Sequence, residues 1–445
     1  MTAFAKFASR VGLGDELGGV LARGVSAALL VRIAGMISGL LLYLVLARLL
    51  APSGFGRYAL ALSWLNVLAM VATLGTDNAA LRFVGEYRAT GNWAGARGYQ
   101  EFAARLSLIV GVGLALAAAT IALNVLDREA AYVFVVAFAA IPLIAQIAQR
   151  QAVLRAYGAV VSGLMPEQVV RPLAIVVLVA VVVLFTPQLT PISAAACLLT
   201  GTFGSFLLGR WLLTQRQPVQ FAQALPLYEV RLWLGTALRL GVFSWAYTLF
   251  RQLDLLMVGS LSSSHAAGVY AVATRCADVA IFVVLAIDTI LAPMVAGLHA
   301  QGDRARLGLL VRRAARVALL LSLSACVLLW LTGPWLLAAF GPDYVRGYGT
   351  LAILVAGQLL GVACGYGPYL LTMTGREVDA LAILLAALTV DCIANLLLIP
   401  PYGNAGAAWA TVLAAVVWRV GSALIAWQRL GINPLPFGPM LRAAP

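Results

Sequence analysis

The sequence is poor in charge. Only 11% of its 445 residues are Asp, Glu, Lys or Arg, whereas a soluble domain carries about 25%. At the same time, 62% of the residues are hydrophobic and the mean hydropathy is +0.96. A soluble protein of this length needs far more polar surface. The composition therefore excludes a soluble fold and predicts a protein of the lipid bilayer.

Cysteine and histidine are scarce and scattered. All five cysteines fall in apolar runs and no CxxC pair occurs, which argues against disulfide or metal chemistry. The two histidines, His265 and His299, are isolated from any plausible set of ligands. We therefore expect no metal site and no cofactor.

Lysine is almost absent, because Lys6 is the only one among the 30 basic residues. The net charge of +13 could indicate a nucleic-acid partner. However, the arginines stand mostly at the ends of apolar runs instead of forming one patch. Basic residues in that position set the orientation of membrane helices. This role accounts for the positive charge, so we expect no nucleic-acid partner.

Long apolar runs are what the sequence has in abundance. A membrane-spanning helix needs about 20 apolar residues, and twelve runs qualify. Proline-rich turns near 187–191 and 400–403 separate neighbouring runs that would otherwise merge. The twelve lie at about 25–49, 57–82, 102–126, 130–154, 160–186, 190–213, 236–260, 266–296, 309–332, 347–374, 378–400 and 404–428.

The distribution of basic residues predicts the orientation. With the N-terminus inside, 23 of the 30 basic residues fall on the cytoplasmic side and 4 on the outer side, and the other three lie within helices. This bias favours twelve helices with both termini in the cytoplasm. We expect a multi-pass protein of the inner, cytoplasmic membrane.

The chain also contains an internal sequence repeat. The segment Gly56-Arg57-Tyr58-Ala59 recurs 212 positions later as Gly268-Val269-Tyr270-Ala271. Weaker matches at nearly the same shift, about half the chain, follow in the same order. Repeats of this kind are typical of transporters built from two homologous halves.

The predicted fold is therefore an all-α integral membrane protein with two six-helix lobes in parallel repeat. We place the N-terminal lobe at 1–214, a cytoplasmic linker at 215–233 and the C-terminal lobe at 234–445. Such lobes are related by a pseudo-twofold axis along the membrane normal and enclose a substrate cavity.

Charges inside the predicted helices are costly in the bilayer, so each is a functional candidate. Arg32 either snorkels to the inner interface or faces a cavity. Arg48 and Arg57 bracket an outer turn, and they either lie in a solvated loop or face a cavity. Arg82 follows Asp77 near the end of the second helix, where a structural polar contact competes with a substrate site.

Three further arginines are spaced to pair with acids on the same helix face. The predicted pairs are Glu167 with Arg171, Arg251 with Asp254, and Arg275 with Asp278. Each pair is either an internal salt bridge or part of a polar cavity wall, and the last two pairs could be exchanged between lobes.

Two acids have no basic partner at helical spacing. Asp288 stands alone, and Asp391 has only Asn395 one turn further on. These two are the best candidates for a proton or cation coupling group. In the helices of the first lobe, arginines outnumber acids. This excess suits an anionic substrate, because a guanidinium group can bind a phosphate through two parallel hydrogen bonds.

The chain resembles the polysaccharide-transporter branch of the MOP flippase superfamily, the Wzx-type exporters of lipid-linked oligosaccharides. The resemblance covers roughly residues 25–430. It rests on an ordered set of motifs: Ala47-Arg48-Leu49-Leu50-Ala51-Pro52-Ser53-Gly54-Phe55-Gly56-Arg57-Tyr58, Leu74-Gly75-Thr76, Arg251-Gln252-Leu253-Asp254, Gly341-Pro342-Asp343-Tyr344 and Leu398-Ile399-Pro400.

This resemblance implies a flippase that moves polyprenyl-pyrophosphate-linked glycans from the inner to the outer leaflet by alternating access. It also implies that basic residues of the cavity bind the pyrophosphate, a role carried here to Arg32, Arg48, Arg82, Arg251 and Arg275. The implied partners are the lipid-linked glycan, membrane lipids, and a polysaccharide polymerase or glycosyltransferases.

Two rival functions differ in what they need. A cation-coupled multidrug exporter of the same fold needs an essential acid facing the first-lobe cavity, and the sequence offers no convincing one. A membrane enzyme such as a glycan polymerase needs a sizeable loop with acidic or metal-binding residues, and none is evident. We therefore expect a transporter with no catalytic residues.

Overall fold

A computed structural model describes residues 15–186 and 188–437, and the regular elements in these ranges are helices. In chain order they are α1 (Asp15–Ala72), α2 (Thr76–Thr90), α3 (Trp93–Val125), α4 (Arg128–Phe138), α5 (Ile141–Ala156), α6 (Val160–Met165), α7 (Arg171–Phe185), α8 (Pro191–Thr214), α9 (Val219–Gln223), α10 (Val230–Leu261), α11 (Ser264–Ala300), α12 (Arg304–Phe340), α13 (Tyr348–Ala363), α14 (Gly367–Met373) and α15 (Glu377–Leu430). A π-helical turn (Pro166–Val170) joins α6 to α7, and a 3₁₀ turn (Pro342–Gly347) precedes α13.

Helix α1 is a hairpin of two helical arms. Its backbone breaks at Ala51, where φ is 56°, and Pro52 follows without an N–H to donate. The rings of Tyr43 and Phe55 lie 5.4 Å apart, although a straight helix would separate residues twelve apart by about 18 Å. The chain therefore reverses at the Pro/Gly turn that the sequence predicts.

Helix α15 folds back in the same way. Pro400 and Pro401 interrupt its hydrogen-bond ladder, and Gly403 adopts a φ of 55°, a left-handed conformation that glycine tolerates. A methyl group added to Gly406 would lie 2.0 Å from the carbonyl oxygen of Leu398. The two arms are therefore in backbone contact beside the turn.

Twelve membrane crossings follow from these helices, as predicted. Eight helical segments of the described residues are long and apolar enough to span a bilayer. Two of them, α1 and α15, are hairpins and cross twice. Helices α10 and α11 have 32 and 37 residues, which is also sufficient length. The protein is thus an all-α, multi-pass membrane protein.

The chain forms two compact units. Unit 1 runs to Leu42 and resumes over Leu68–Val242, whereas unit 2 consists of Tyr43–Val67 and the chain from Phe243 onward. The tip of the α1 hairpin therefore belongs to unit 2, and residues 215–233 belong to unit 1. The lobe boundaries inferred from the repeat stay a prediction. So does the location of the chain termini, which lie outside the described residues.

In unit 1, the segment after α8 is anchored by Trp233. The indole is fully buried and packs edge-on against Tyr99, with ring centroids 5.3 Å apart. Its Nε1 donates to the hydroxyl of Tyr87 at 3.0 Å, and Tyr87 donates to Glu229 at 3.1 Å. Burial raises the pKa of Tyr87, so this phenol stays a hydrogen-bond donor.

The same segment is held along the backbone. The amide of Leu227 donates to the carbonyl of Ala94 at 3.1 Å. Gly98 lets this strand-like stretch approach α3, because an added Cβ would lie 1.9 Å from the Leu227 oxygen. Arg97 donates to the carbonyl of Ala222 at 2.8 Å. The predicted linker is thus docked on unit 1.

In unit 2, the two copies of the internal sequence repeat, at 56–59 and 268–271, pack on each other. An added Cβ at Gly56 would lie 1.7 Å from the carbonyl of Ser264, and one at Gly268 would lie 2.1 Å from the carbonyl of Pro52. Only glycine permits such a close crossing of two backbones. The crossing brings the α1 turn against the start of α11.

Candidate functional site

A buried group of polar side chains lies within unit 2. Asp254 of α10, Tyr270 of α11, and Asp391, Asn395 and Thr411 of α15 form what we call the acidic cluster. The amide of Asn395 donates to Asp254 at 2.8 Å and to Asp391 at 3.1 Å. Thr411 donates to the second oxygen of Asp254 at 2.8 Å and lies 3.0 Å from the hydroxyl of Tyr270.

The local sequence explains why these groups meet. Asp391 and Asn395 are four residues apart and so share one face of the first arm of α15. Asn395 and Thr411 each stand eight residues from Gly403, so the reversal at that glycine places their turns side by side. Polar residues that are distant in sequence therefore converge on Asp254.

The acidic cluster is closed to solvent. Asp254 and Asp391 are 8% and 1% exposed, and the amide of Asn395 donates to both of their carboxylates. Within the described ranges, Asp391 Oδ2 and Asn395 Oδ1 have no hydrogen-bond partner. The cluster can accommodate a proton or a small monovalent cation, because oxygen ligands suit hard cations.

A divalent metal has less support. Within residues 15–186 and 188–437, no group of three or more His, Cys, Asp or Glu side chains could hold a metal ion. The acidic cluster offers two carboxylates, and its other oxygens belong to neutral side chains.

A second charged group in unit 2 contains two arginines and one acid. Asp278 lies 3.4 Å from Arg251 and 3.9 Å from Arg275. The guanidinium of Arg275 also lies over the ring of Tyr43, 5.1 Å from its centroid. This group carries a net positive charge, and its arginine side chains are between a third and a half exposed. This group can therefore bind an anion.

One predicted pairing is wrong. Arg251 does not pair with Asp254 on its own helix but with Asp278 of α11. Asp254 turns instead to Asn395 and Thr411, whose neutral groups satisfy both of its oxygens. The predicted pair of Arg275 with Asp278 does form, at 3.9 Å.

In unit 1, the π-helical turn organises the site. Pro172 has no N–H, so the carbonyl of Gln168 loses its helical donor. The hydroxyl of Ser38 on α1 donates to that carbonyl instead, at 3.1 Å. The hydroxyl of Ser205 donates to the carbonyl of Pro166 at 2.6 Å. The turn is thus tied to α1 and α8, and π-turns of this kind often mark functional sites.

Around this turn lies what we call the basic cluster, formed by Arg32, Asp77, Arg155, Glu167 and Arg171. Arg171 lies 4.0 Å from Glu167, so the predicted pair is a loose one. The charge of Arg155 interacts with those of Asp77, Arg32 and Glu167. Three guanidinium groups and two carboxylates leave the cluster with a net positive charge.

The basic cluster is not saturated. Among the described residues, Arg32 Nε, Arg155 Nε, Arg171 Nη1 and Asp77 Oδ1 have no hydrogen-bond partner. The three arginines are only partly buried. Guanidinium N–H groups that lack acceptors favour an anionic ligand.

The remaining predicted residues lie elsewhere. Arg48 donates to the carbonyl of Ala339 at the end of α12. Arg82 is exposed on α2, with its guanidinium 5.8 Å from the ring centroid of Phe83. The backbone carbonyl of Asp288 accepts from Tyr369 at 3.0 Å. None of these three belongs to the acidic or the basic cluster.

Sequence reasoning missed several members. Arg155 stands at the end of a predicted helix, where an arginine indicates only the topology. Tyr270 and Thr411 are uncharged, so a search for intramembrane charge passes over them. The spacing of Asp391 and Asn395 was the one available signal for the acidic cluster.

Two family models match the chain. The model described as polysaccharide biosynthesis protein matches residues 21–299, and the MatE model matches residues 241–399. Among curated protein sequences, none matches significantly.

Solved structures share the fold at low identity. The inward-facing conformation of a multidrug resistance MATE family transporter of the MOP superfamily has a TM-score of 0.73 and 16% identity, over 90% of this chain and 98% of that one. Its outward-facing conformation has a TM-score of 0.68 and 16% identity, over 92% and 96%. A MOP superfamily transporter from Pyrococcus furiosus, described by the reverse polarity of its binding pocket, has a TM-score of 0.66 and 15% identity, over 92% and 95%.

These likenesses show a transporter fold. The model of the polysaccharide biosynthesis family covers more than half of the chain, in agreement with the motifs quoted from the sequence. The protein therefore belongs to the polysaccharide biosynthesis protein family, the polysaccharide-transporter branch of the MOP flippase superfamily.

Proposed function

We propose that this protein is a flippase that moves a polyprenyl-pyrophosphate-linked oligosaccharide from the inner to the outer leaflet of the cytoplasmic membrane. The transported glycan serves the biosynthesis of cell-surface polysaccharide, in keeping with the family to which the chain belongs. The observation that carries the proposal is the basic cluster, in which three arginines face two acids.

Pyrophosphate suits this cluster chemically. Its oxygens are acceptors for guanidinium N–H groups, and hydrogen bonds between charged partners are the strong ones. Arg32 Nε, Arg155 Nε and Arg171 Nη1 are buried donors without a hydrogen-bond partner among the described residues, and a bound pyrophosphate would supply acceptors for them. In unit 2, Arg251 and Arg275 share a single carboxylate and can provide further positive charge.

Transport needs no covalent step. The head group is held at the basic cluster of unit 1 while the polyprenyl tail stays in lipid. The protein then exposes this site alternately to the two sides of the membrane, as repeat-built transporters do. The residues named here bind and release the head group, and none acts as a catalyst.

The acidic cluster supplies the coupling. A proton or monovalent cation bound between Asp254 and Asp391 relieves the repulsion of two buried carboxylates. Loading and release of that ion would shift the balance between the two states of the transporter. Asp278 holds the arginine pair, and the role of Asp288 as a coupling group stays a prediction.

A cation-coupled multidrug exporter is the second candidate. The MatE match over residues 241–399 and the likeness to MATE transporters favour it. A cationic drug needs an acid that faces the cavity without a counter-ion. In unit 1, Glu167 lies beside Arg171 and the charges of Asp77 and Glu167 interact with that of Arg155. The flippase is therefore the better-supported proposal.

The orientation and partners follow from the same proposal. The bias in basic residues supports an orientation with both termini in the cytoplasm. Glycosyltransferases would assemble the lipid-linked substrate on the inner leaflet, and a polysaccharide polymerase would consume it on the outer leaflet.

A leaflet assay tests the function. The protein is reconstituted in vesicles that carry a fluorescent polyprenyl-pyrophosphate oligosaccharide, and an enzyme added outside reports access to the glycan. We expect faster access with the protein than without it. Because each arginine–phosphate contact contributes about 1.5–3 kcal/mol, Arg32→Ala and Arg251→Ala should each slow access at least roughly tenfold.

The matched control is Arg304→Ala, which removes an exposed arginine at the start of α12. It should leave the rate close to that of the wild type. If vesicles with and without protein expose the glycan at the same rate, while the protein drives uptake of a cationic dye, the exporter is the correct function.

A further inference from the structure

Two arginines of unit 1 that are not members of the basic cluster lie beside the exposed face of α8. The guanidinium of Arg150 on α5 stacks over the ring of Phe206 on α8, 3.9 Å from its centroid. One of its nitrogens donates to the carbonyl of Phe206 at 3.3 Å. Phe206 in turn stacks on Phe203, with centroids 6.1 Å apart. The stack fixes the plane of the guanidinium.

The second arginine, Arg210, stands one turn beyond Phe206 on the same face of α8. Its charge repels that of Arg150. In the part of the chain that the structure describes, neither arginine forms an ion pair with an acid. Two adjacent positive charges near a membrane are unfavourable without an anion between them.

The surroundings of the pair are apolar and accessible. Phe203, Leu207 and Trp211 are 49%, 48% and 57% exposed on a helix that spans the membrane. Gly204 and Gly209 leave open space on the same helix, since an added Cβ would touch nothing within 4 Å. Tryptophan is typical of the depth at which lipid head groups begin.

We propose that α5 and α8 form a binding site for an anionic phospholipid. The head-group phosphate bridges Arg150 and Arg210, and an acyl chain lies along Phe203 and Leu207. Basic pockets between membrane helices are suited to such head groups. This site is separate from the one proposed for the transported lipid, and neither proposal depends on the other.

Charge complementarity identifies the occupant. A phosphodiester with net negative charge neutralises both guanidinium groups and brings the apolar chains that the exposed face requires. A zwitterionic lipid carries its own cation beside the phosphate, and inorganic phosphate has no chains. The site should therefore distinguish phosphatidylglycerol from phosphatidylcholine.

Native mass spectrometry of the purified full-length protein, titrated with phosphatidylglycerol, tests the proposal. Arg150→Gln and Arg210→Gln should each weaken binding roughly tenfold, and Phe206→Leu, which keeps both charges, should weaken it about threefold. Arg216→Gln removes an exposed arginine just beyond α8 and should change binding at most about twofold.

Three results would overturn the site. The first is equal binding by wild type and Arg210→Gln, an exposed position whose change should not disturb folding. The second is an equal loss in Arg216→Gln, which would indicate unspecific attraction to basic charge. The third is displacement of the lipid by low millimolar inorganic phosphate, which would indicate a site for a soluble anion.

Discussion

The acidic cluster of unit 2 and the basic cluster of unit 1 are built on opposite principles. In the acidic cluster, every side chain except that of Thr411 is almost fully buried, and hydrogen bonds of 2.8–3.1 Å join the group. In the basic cluster, the arginines are partly exposed, the one ion pair is 4.0 Å long, and several nitrogens have no partner among the described residues.

The difference indicates the size of what each cluster can bind. A closed group of oxygens has room for a proton or a small cation, because anything larger would break its hydrogen bonds. A partly exposed group of guanidinium ions has donors without partners, which suit the several oxygens of a larger anion. A chain that separates negative and positive charge in this way can respond to two ligands of opposite sign.

The largest effect should come from removing charge in the acidic cluster. Asp254→Asn and Asp391→Asn each leave one carboxylate, so the cluster no longer requires a cation to relieve repulsion. Transport driven by an ion gradient should fall by roughly 5- to 150-fold, the usual range of coupling between sites. The measurement is the rate of glycan exposure with and without an imposed proton or sodium gradient.

Asp343→Asn is the matched control, because it removes an exposed carboxylate in the turn before α13. It should respond to the gradient like the wild type. If Asp391→Asn keeps its full response as well, the acidic cluster is structural, and the contrast between the clusters says nothing about coupling.

A smaller effect is expected from Arg155→Ala in the basic cluster. The loss of one charge-assisted contact should weaken binding of a polyprenyl pyrophosphate by about 2 kcal/mol, or roughly 30-fold in Kd. Titration in detergent with the short-chain lipid measures it. Arg105→Ala, an exposed arginine of α3, should bind normally, and an equal loss there would point to long-range attraction instead of contact.

The smallest effect should have the opposite sign. Glu167→Gln frees Arg155 and Arg171 from a carboxylate, so affinity for the pyrophosphate should rise. Since the ion pair is partly exposed, it contributes at most about 1 kcal/mol, and the gain should not exceed about fivefold. The same titration applies. A fall in affinity would mean that Glu167 orients the arginines more than it competes for them.

Much of the architecture could be predicted from the sequence, because bilayer thickness and apolar run length fix the helices. The turns at Ala51 and Gly403 could also be located, since proline and glycine leave few other conformations. The π-helical turn was not predicted. A proline such as Pro172 indicates a kink, but the carbonyl left without its helical donor accepts from Ser38, which lies far away in sequence.

The clusters were harder to predict because spacing within one helix says which residues can pair but not which do. Asp254 could pair with Arg251 by position, yet it faces α15, where Asn395 and Thr411 satisfy it. Which face of a helix meets which neighbour depends on packing across the whole unit. A single sequence carries that information only weakly.

The borders between the two units have a mechanical consequence. The chain passes from one unit to the other between Leu42 and Tyr43, between Val67 and Leu68, and between Val242 and Phe243. All three passages fall inside helices, two in α1 and one in α10. Helical rods resist stretching but tolerate gentle curvature. A displacement of one unit must therefore bend or twist α1 and α10 elastically, because the borders lie inside these helices and not in flexible loops.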